Sequence, residues 1–191
     1  MSVTTKIEAV NTILSSIGEA PVNDLTGASL DVGNAIRYLE EASREIQSMG
    51  LWFNTETQDI QPFSGTGEYR LPISTLSAVP TLETKKHFVQ RGNRLYNTTD
   101  NKYDGNTDEL SVELILELDF QEIPEEARSA IMAQAARKFT DRTVGATNLH
   151  QFAMLDESMC RRRLMSRHLE EVRWNSDESP RVYDALSRRR L

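Results

Sequence analysis

Five pairs of adjacent carboxylates are the groups of this chain whose type and spacing could support catalysis. Two carboxyl groups held about 5–9.5 Å apart can hydrolyse a glycosidic bond, with one of them acting as the acid. Structural roles explain most of the pairs, because two acids favour the start of a helix and an acid four residues from an arginine forms a helix-surface ion pair. The pairs are Glu40-Glu41, Asp108-Glu109, Glu125-Glu126, Asp156-Glu157 and Glu170-Glu171, and the two arginine spacings are Glu157 to Arg161 and Arg167 to Glu171.

Histidine and cysteine are few and far apart along the chain. His87, His150 and His168 form no pair at metal-ligand spacing, and no HExxH motif is present. Cys160 is the single cysteine, which excludes an internal disulfide, and it lies eight residues from His168, too far to form a nucleophile–base pair on one helix. The chain also lacks the GxSxG, P-loop and GxGxxG motifs. We therefore expect no catalytic, cofactor-binding or metal-binding residues, no cofactor and no enzymatic activity.

The charge of the chain is divided unevenly along its length. The 191 residues include 22 basic and 29 acidic side chains, a formal net charge of −7. Residues 160–191 carry nine arginines and five acids, a net charge of +4, which leaves −11 for residues 1–159. A chain this acidic repels phosphates and is a poor general binder of nucleic acid. The distribution predicts an acidic body with a basic arm, or else a solvated helix face with a frayed tail.

Membrane and export signals are missing from the sequence. No apolar run approaches the roughly 20 residues that span a bilayer, and the N-terminus lacks the pattern of a signal peptide. We expect synthesis in a cytoplasm and no membrane contact.

Apolar residues at helical spacing predict two helices in the first fifty residues. The first runs from Thr5 to Ile17 and the second from about Asp31 to Met49, and Gly18 and Gly50 are their C-terminal stops. The stripe predicted to be buried on the second helix consists of Ala35, Ile36, Leu39, Ser43, Ile46 and Met49.

Two further helices are predicted between residues 123 and 174. Pro124 at the first helical position starts the third, Gly145 ends it, and Asn148 can cap the fourth, which reaches Trp174. Small residues on the third helix allow a neighbouring helix to approach closely. The fourth has two apolar stripes in shifted phase, so it faces either two partners, the first being its own bundle, or one partner along a broad curved stripe. The small residues of the third helix are Ala130, Ala133 and Ala136. The first stripe of the fourth helix consists of Phe152, Leu155 and Met159, and the second of Leu164, His168, Leu169 and Val172.

The middle of the chain predicts a small, mostly antiparallel sheet. Apolar and polar residues alternate most clearly from Leu110 to Leu118. Gly92-Asn93 suits a two-residue hairpin turn between Lys85–Gln90 and Arg94–Thr98. The remaining predictions are strands at Trp52–Ile60 and Glu68–Leu71 and a loop at Ser74–Pro80.

The predicted fold class is therefore α+β, a bundle of about four helices with an inserted small sheet domain and a C-terminal arm. We expect the bundle to comprise residues 1–50 and 121–174, the β domain residues 51–120, and the extended arm residues 175–191.

Four strings of the sequence resemble the tail tubular protein A family, the adaptor or gatekeeper proteins of short-tailed, autographivirus-type bacteriophages. The strings are AVNTILSSIGEAPVNDLTG at 9–27, REIQSMGLWFN at 44–54, RGNRLY at 91–96 and IPEEARSAIMAQAARKFTDRTVGA at 123–146. The resemblance implies a structural virion protein, a head-to-tail connector whose twelve copies form a ring beneath the portal protein. It further implies that the ring binds the tail nozzle, helps to mount the tail fibres and encloses the channel through which DNA is ejected without specific binding.

Members of this family grip the portal with their C-terminal helix and arm, and the resemblance carries that role to about residues 160–191. Arginines there are candidate contacts to an acidic portal surface, and aromatic or apolar residues are candidate anchors. The candidate portal-binding residues are Arg161, Arg162, Arg163, Arg167, Trp174, Arg181, Tyr183, Leu186, Arg188, Arg189 and Arg190.

Two other functions remain open at the level of sequence. The carboxylate pairs allow a glycan-degrading hydrolase of the cell envelope. Arginines interleaved with Trp174 and Tyr183 allow a nucleic-acid-binding arm, although the acids among them and the acidic body argue against it.

Overall fold

The computed structural model describes residues 3–26, 29–81 and 87–177, with side chains as far as residue 174. Within those residues the chain has four α-helices and five β-strands, which confirms the predicted α+β class. They are α1 (Lys6–Ser15), α2 (Leu30–Gln47), β1 (Thr55–Ile60), β2 (Thr75–Pro80), β3 (Phe88–Arg91), β4 (Arg94–Asn97), β5 (Leu110–Leu116), α3 (Glu125–Thr143) and α4 (Thr147–Asp177).

The chain divides into two compact units. The helical unit comprises the described parts of Met1–Ile46 and Phe120–Leu191, and the β unit comprises the described parts of Gln47–Asp119.

The ends of the helices are set by local chemistry. Thr5 and Glu8 form a capping box at the start of α1, in which the Thr5 N–H donates to the Glu8 carboxylate at 2.7 Å. We predicted Pro124 at the first helical position of α3, but Pro124 is the N-cap and lies one residue before that position. The prediction that Asn148 caps α4 is wrong, because α4 begins at Thr147 and Asn148 lies in its first turn.

Apolar side chains of all four helices form the core of the helical unit. The predicted stripe of α2 is buried at Ala35, Leu39 and Ile46, but Met49 follows the end of the helix and is 39% exposed. Of the described residues of α4, Leu164 is the apolar one that reaches this core. The largest buried side chains are Ile13, Leu14, Leu39, Ile123, Ile131, Phe139 and Leu164.

Arg128 fastens the segments before α1 and α3 to the helical unit. This buried guanidinium donates to the carbonyl oxygens of Ile123 and Thr4, both at 2.7 Å, and to that of Gln121. A planar guanidinium suits such a site, because its N–H groups point to several acceptors at once.

Two antiparallel sheets make up the β unit. Strand β5 lies between β1 and β2 in one sheet, and β3 pairs with β4 across the Gly92-Asn93 turn in the other. The segment Glu68–Leu71, predicted as a strand, forms an isolated bridge between Arg70 and Arg94 instead.

The prediction of a loop at Ser74–Pro80 is wrong, because Thr75–Pro80 is strand β2. Its serines and its terminal proline hide the alternation that usually marks a strand. The strand lies at a sheet edge, where proline is tolerated, and it pairs with β5 through a register shift between Thr75 and Ser77.

One apolar cluster joins both sheets of the β unit. Tyr69 packs edge-on against Phe88 with ring centroids 5.3 Å apart, and its hydroxyl donates to the Asp108 carbonyl at 2.6 Å. The cluster consists of Ile60, Tyr69, Leu71, Ala78, Phe88, Leu95, Leu110, Val112 and Leu114.

Candidate docking surface on the last helix

Helix α4 is held against α3 by a group of charged side chains. Arg137 of α3 donates to the carboxylates of Glu157 and Asp141, the latter at 3.2 Å, and its hydrogen bond to Glu157 raises the pKa of the guanidinium. His150 Nδ1 lies 2.7 Å from Asp141 Oδ1. Glu157 therefore serves the contact between the two helices. Its pairing with Arg161 along the helix surface stays a prediction.

The face of α4 that meets α3 is formed by small and medium side chains. Ala153 and Cys160 are partly buried there, and Leu164 is fully buried. Their spacing of seven and four residues keeps them on one side of the helix. This inner face was not predicted from the sequence, because its first members are too small to stand out as an apolar stripe.

The stripe predicted to face the bundle lies beside the inner face of α4 rather than on it. Phe152, Leu155 and Met159 are 67%, 59% and 45% exposed, so the prediction that they pack into the bundle is wrong. Large exposed apolar side chains grouped on one helix face are typical of an interaction surface. We call these three residues the outer stripe.

An apolar groove of about 450 Å³ runs between α1, α3 and α4 beside the outer stripe. Ala133 and Ala136 are only partly buried and form part of its floor, although we predicted that small residues would bring a helix close. This groove was not predicted from the sequence, where its signal is the row of small residues on α3. Its lining is Thr12, Ser16, Ser129, Met132, Ala133, Ala136, Thr140, Leu149, Phe152, Ala153, Asp156 and Cys160.

Predicted portal-binding arginines cluster on the second half of α4. Arg161, Arg162 and Arg163 are exposed, and Arg162 and Arg163 share a shallow hollow with Arg167. Arg167 also binds Glu171 at 2.6 Å, the predicted helix-surface pair, and Trp174 is 68% exposed. Arg181, Tyr183, Leu186, Arg188, Arg189 and Arg190 lie outside the described residues.

The residues considered for catalysis are dispersed or occupied with structural contacts. Glu125 accepts a hydrogen bond from the Thr4 N–H at 3.1 Å, and Glu41 accepts one from Lys138 at 2.8 Å. Burial raises the pKa of the Cys160 thiol, which opposes formation of a nucleophilic thiolate. Across residues 3–26, 29–81 and 87–177, no group of three His, Cys, Asp or Glu side chains is placed to hold a metal ion.

No helix in the described ranges is long and apolar enough to cross a membrane.

An exposed apolar stripe beside an apolar groove is typical of a protein that assembles with other proteins. The chain belongs to the tail tubular protein family, whose family model matches residues 7–174. It is thus a structural component of the bacteriophage tail, and the family resemblance found in the sequence is confirmed. No curated protein sequence matches the chain.

Proposed function

We propose that this tail protein is the adaptor subunit that joins the portal to the tail nozzle. In this proposal twelve copies form a ring that helps to mount the tail fibres and encloses the path of the ejected DNA. The observation that carries the proposal is the outer stripe of α4, which lies beside the apolar groove. Phe152 belongs to both features, and its side chain is 67% exposed. Such a surface is costly in water and is explained by a partner that covers it.

The outer stripe and the groove supply the apolar part of the interface. Complete burial of a phenylalanine, leucine or methionine side chain stabilises a complex by about 1.5–3 kcal/mol. Phe152 lies on both features and is the expected centre of the contact, since aromatic anchors in well-packed pockets dominate interface energies.

The arginines of α4 and of residues 175–191 supply the charged part of the interface with the portal. Arg161, Arg162 and Arg163 follow the outer stripe directly, so apolar and cationic contacts are continuous along the helix. We propose that Trp174, Tyr183 and Leu186 are further anchors, and that Arg181 and Arg188–Arg190 bind acidic groups. Deletion of residues 188–190 is expected to weaken portal binding, and unchanged binding would refute this role of the arm.

The acidity of the body suits a conduit for DNA. Residues 1–159 carry a net charge of −11, which repels phosphates rather than retaining them. A ring built from such subunits lets DNA pass without specific binding.

We propose no catalytic role for the carboxylate pairs. A general acid in glycoside hydrolysis needs a raised pKa, whereas the hydrogen bond from Lys138 lowers the pKa of Glu41. Glu125 and Glu157 are likewise engaged by Thr4 and Arg137.

The proposal is tested by substituting Phe152→Glu and measuring binding to purified portal rings from the same phage. The substitution places a charge in the centre of the apolar surface, and a loss of binding of at least tenfold is expected. Gln151→Glu is the matched control, because Gln151 is an exposed neighbour on α4 outside the groove lining. Equal binding by the Phe152→Glu variant and the control would contradict the proposal.

A further inference from the structure

The β unit carries an array of alternating arginine and aromatic side chains that the proposed portal contact does not use. The guanidinium carbons of Arg70, Arg91 and Arg94 lie 3.8, 3.6 and 4.4 Å from the ring centroids of Phe63, Tyr96 and Tyr103, respectively. The Tyr96 and Tyr103 rings meet edge-on, with centroids 5.0 Å apart. We call these six residues the arginine–aromatic face. Stacked arginine and tyrosine are the side chains that most often dominate protein interfaces.

The three arginines of this face outnumber the carboxylates that pair with them. Arg70 and Arg94 share one carboxylate, that of Glu68, at 3.2 and 2.9 Å. In the part of the chain that the structure describes, Arg91 has its ring contact with Tyr96 but no ion pair. Arg91 is therefore preorganised by stacking and has its charge available for an external acid.

The charge of the β unit is polarised along the sequence. Residues 68–102 contain all six of its lysines and arginines and three acids, a net charge of +3. Residues 47–67 and 103–119 contain eight acids and no lysine or arginine, a net charge of −8.

The fold converts this sequence polarity into two opposite surfaces. Alternate residues of each strand point into the shared core, among them Leu95 on β4 and Val112 on β5. The residues between them point outward, which places Arg94 and Tyr96 outside one sheet and Glu113 outside the other. Beside Glu113 the same side of the sheet exposes further acids, because Asp59 pairs with Ser111 and Glu109 shares the alternation of Ser111 and Glu113. We call the set the acidic face: Asp59, Glu109 and Glu113.

We propose that the arginine–aromatic face of one copy binds the acidic face of the next copy, so that β units associate head to tail. The inference rests on the proposed ring and names the contact that propagates it. Two different, complementary surfaces on one chain generate a ring when the rotation closes. A second copy fits better than DNA, because Glu68 and Asp100 lie among the cations of this region and would repel phosphates.

The test uses the full-length chain, portal rings and charge reversal on each face. Arg91→Glu and Glu113→Lys are each expected to raise the concentration for half-saturation of the portal by about tenfold, the effect of losing an interfacial charge pair. An equimolar mixture of the two variants is expected to recover wild-type assembly, since each reversed face then meets a reversed partner. Arg91→Lys is the control for Arg91, because it keeps the charge, and Glu19→Lys is an exposed control outside the β unit.

Three results would overturn the inference. The first is wild-type assembly by both single variants, and the second is a defect that mixing leaves unrepaired. The third is retardation of duplex DNA by the wild type but not by Arg91→Glu, with assembly unchanged, which would make the face a DNA site. If the wild type fails to bind the portal, the proposed function fails. The inference is then tested by sedimentation of the free chain, which measures its self-association. Arg91→Glu and Glu113→Lys must each weaken that self-association.

Discussion

Gln47 and Leu118 exchange two hydrogen bonds where the chain enters and leaves the β unit. The Gln47 side-chain amide donates to the Leu118 carbonyl at 3.0 Å, and its oxygen accepts from the Leu118 N–H at 2.8 Å. Asn54 completes the arrangement by donating to the carbonyls of Gln47 and Leu116 at 2.9 and 2.8 Å. Gln47 is fully buried, so these bonds satisfy its side-chain amide at the base of the unit.

Replacement of Gln47 by leucine is expected to lower the free energy of unfolding by about 2–3 kcal/mol, because the partly buried Leu118 N–H and C=O both lose their hydrogen-bond partner. The measurement is urea denaturation followed by circular dichroism. Gln58→Leu is the control, since Gln58 is exposed on β1 and should change stability by less than about 0.5 kcal/mol. Similar losses for both variants would mean that the bonds to Leu118 contribute little.

Gly67 and Gly92 provide a matched pair of backbone tests. Both have positive φ, +74° and +62°, but a Cβ at Gly67 would lie 2.8 Å from the backbone of Asn106, whereas a Cβ at Gly92 meets nothing within 4 Å. Gly92→Ala should cost about 1–2 kcal/mol for the left-handed backbone alone, and Gly67→Ala should cost clearly more. Thermal melts of the two variants measure the difference. Equal melting temperatures would show that the turn at Gly67 shifts freely.

Lys138 of α3 ties α2 to the helical unit through two carboxylates. Its ammonium group lies 2.8 Å from Glu41 and 2.6 Å from Glu45. Burial opposes the charged form of Lys138, but the hydrogen bonds that it donates to both carboxylates outweigh this effect and raise the lysine pKa. The same contact with Lys138 lowers the pKa of Glu41.

The contribution of this contact should therefore depend on pH. A carboxyl whose pKa is lowered on folding stabilises the protein above its unfolded pKa, about 4.3 for glutamate, and the gain is lost as pH falls through the folded pKa. Lys138→Met is expected to lower stability by about 1 kcal/mol at pH 7, a modest value because the acids are partly exposed. Urea denaturation of both proteins at pH 7 and pH 3 measures the change. A difference that stays constant over this range would contradict the assignment.

Cys160 is a built-in probe of the groove on α4. It lines the groove and is the single cysteine, and burial raises its pKa. Maleimide labelling should be slow at neutral pH and accelerate above the usual thiol pKa of about 8.5. Portal rings should reduce the labelling rate at least tenfold if the groove is covered, as followed by mass spectrometry. An unchanged rate in the presence of bound portal would place the interface elsewhere.

Periodicity in the sequence located most of the elements. The stops at Gly18 and Gly50, the Gly92-Asn93 turn and the alternation after Leu110 all depend on local chemistry, which is readable from a few neighbouring residues. β2 was missed because pairing with β5, rather than its own polar and proline-containing sequence, makes Thr75–Pro80 a strand.

The orientation of α4 was predicted wrongly for a related physical reason. Large side chains such as Phe152 and Leu155 dominate a hydrophobic pattern, yet the helix packs on α3 through Ala153 and Cys160, and a charged group fixes the contact. A pattern of large apolar residues identifies a surface that must be covered, but it does not say whether the cover is the same chain or a partner. The groove and the arginine–aromatic face join residues distant in sequence, so a local pattern such as the row of small residues on α3 does not show which other residues complete the site.

The mass of the complex formed with portal rings from the same phage tests the adaptor role most directly. Purified full-length chain is mixed with the portal, and the product is weighed by native mass spectrometry or light scattering. The proposal predicts a stable complex that gains about twelve copies of the 21.7 kDa chain. A folded chain that adds no mass to an intact portal ring would contradict it.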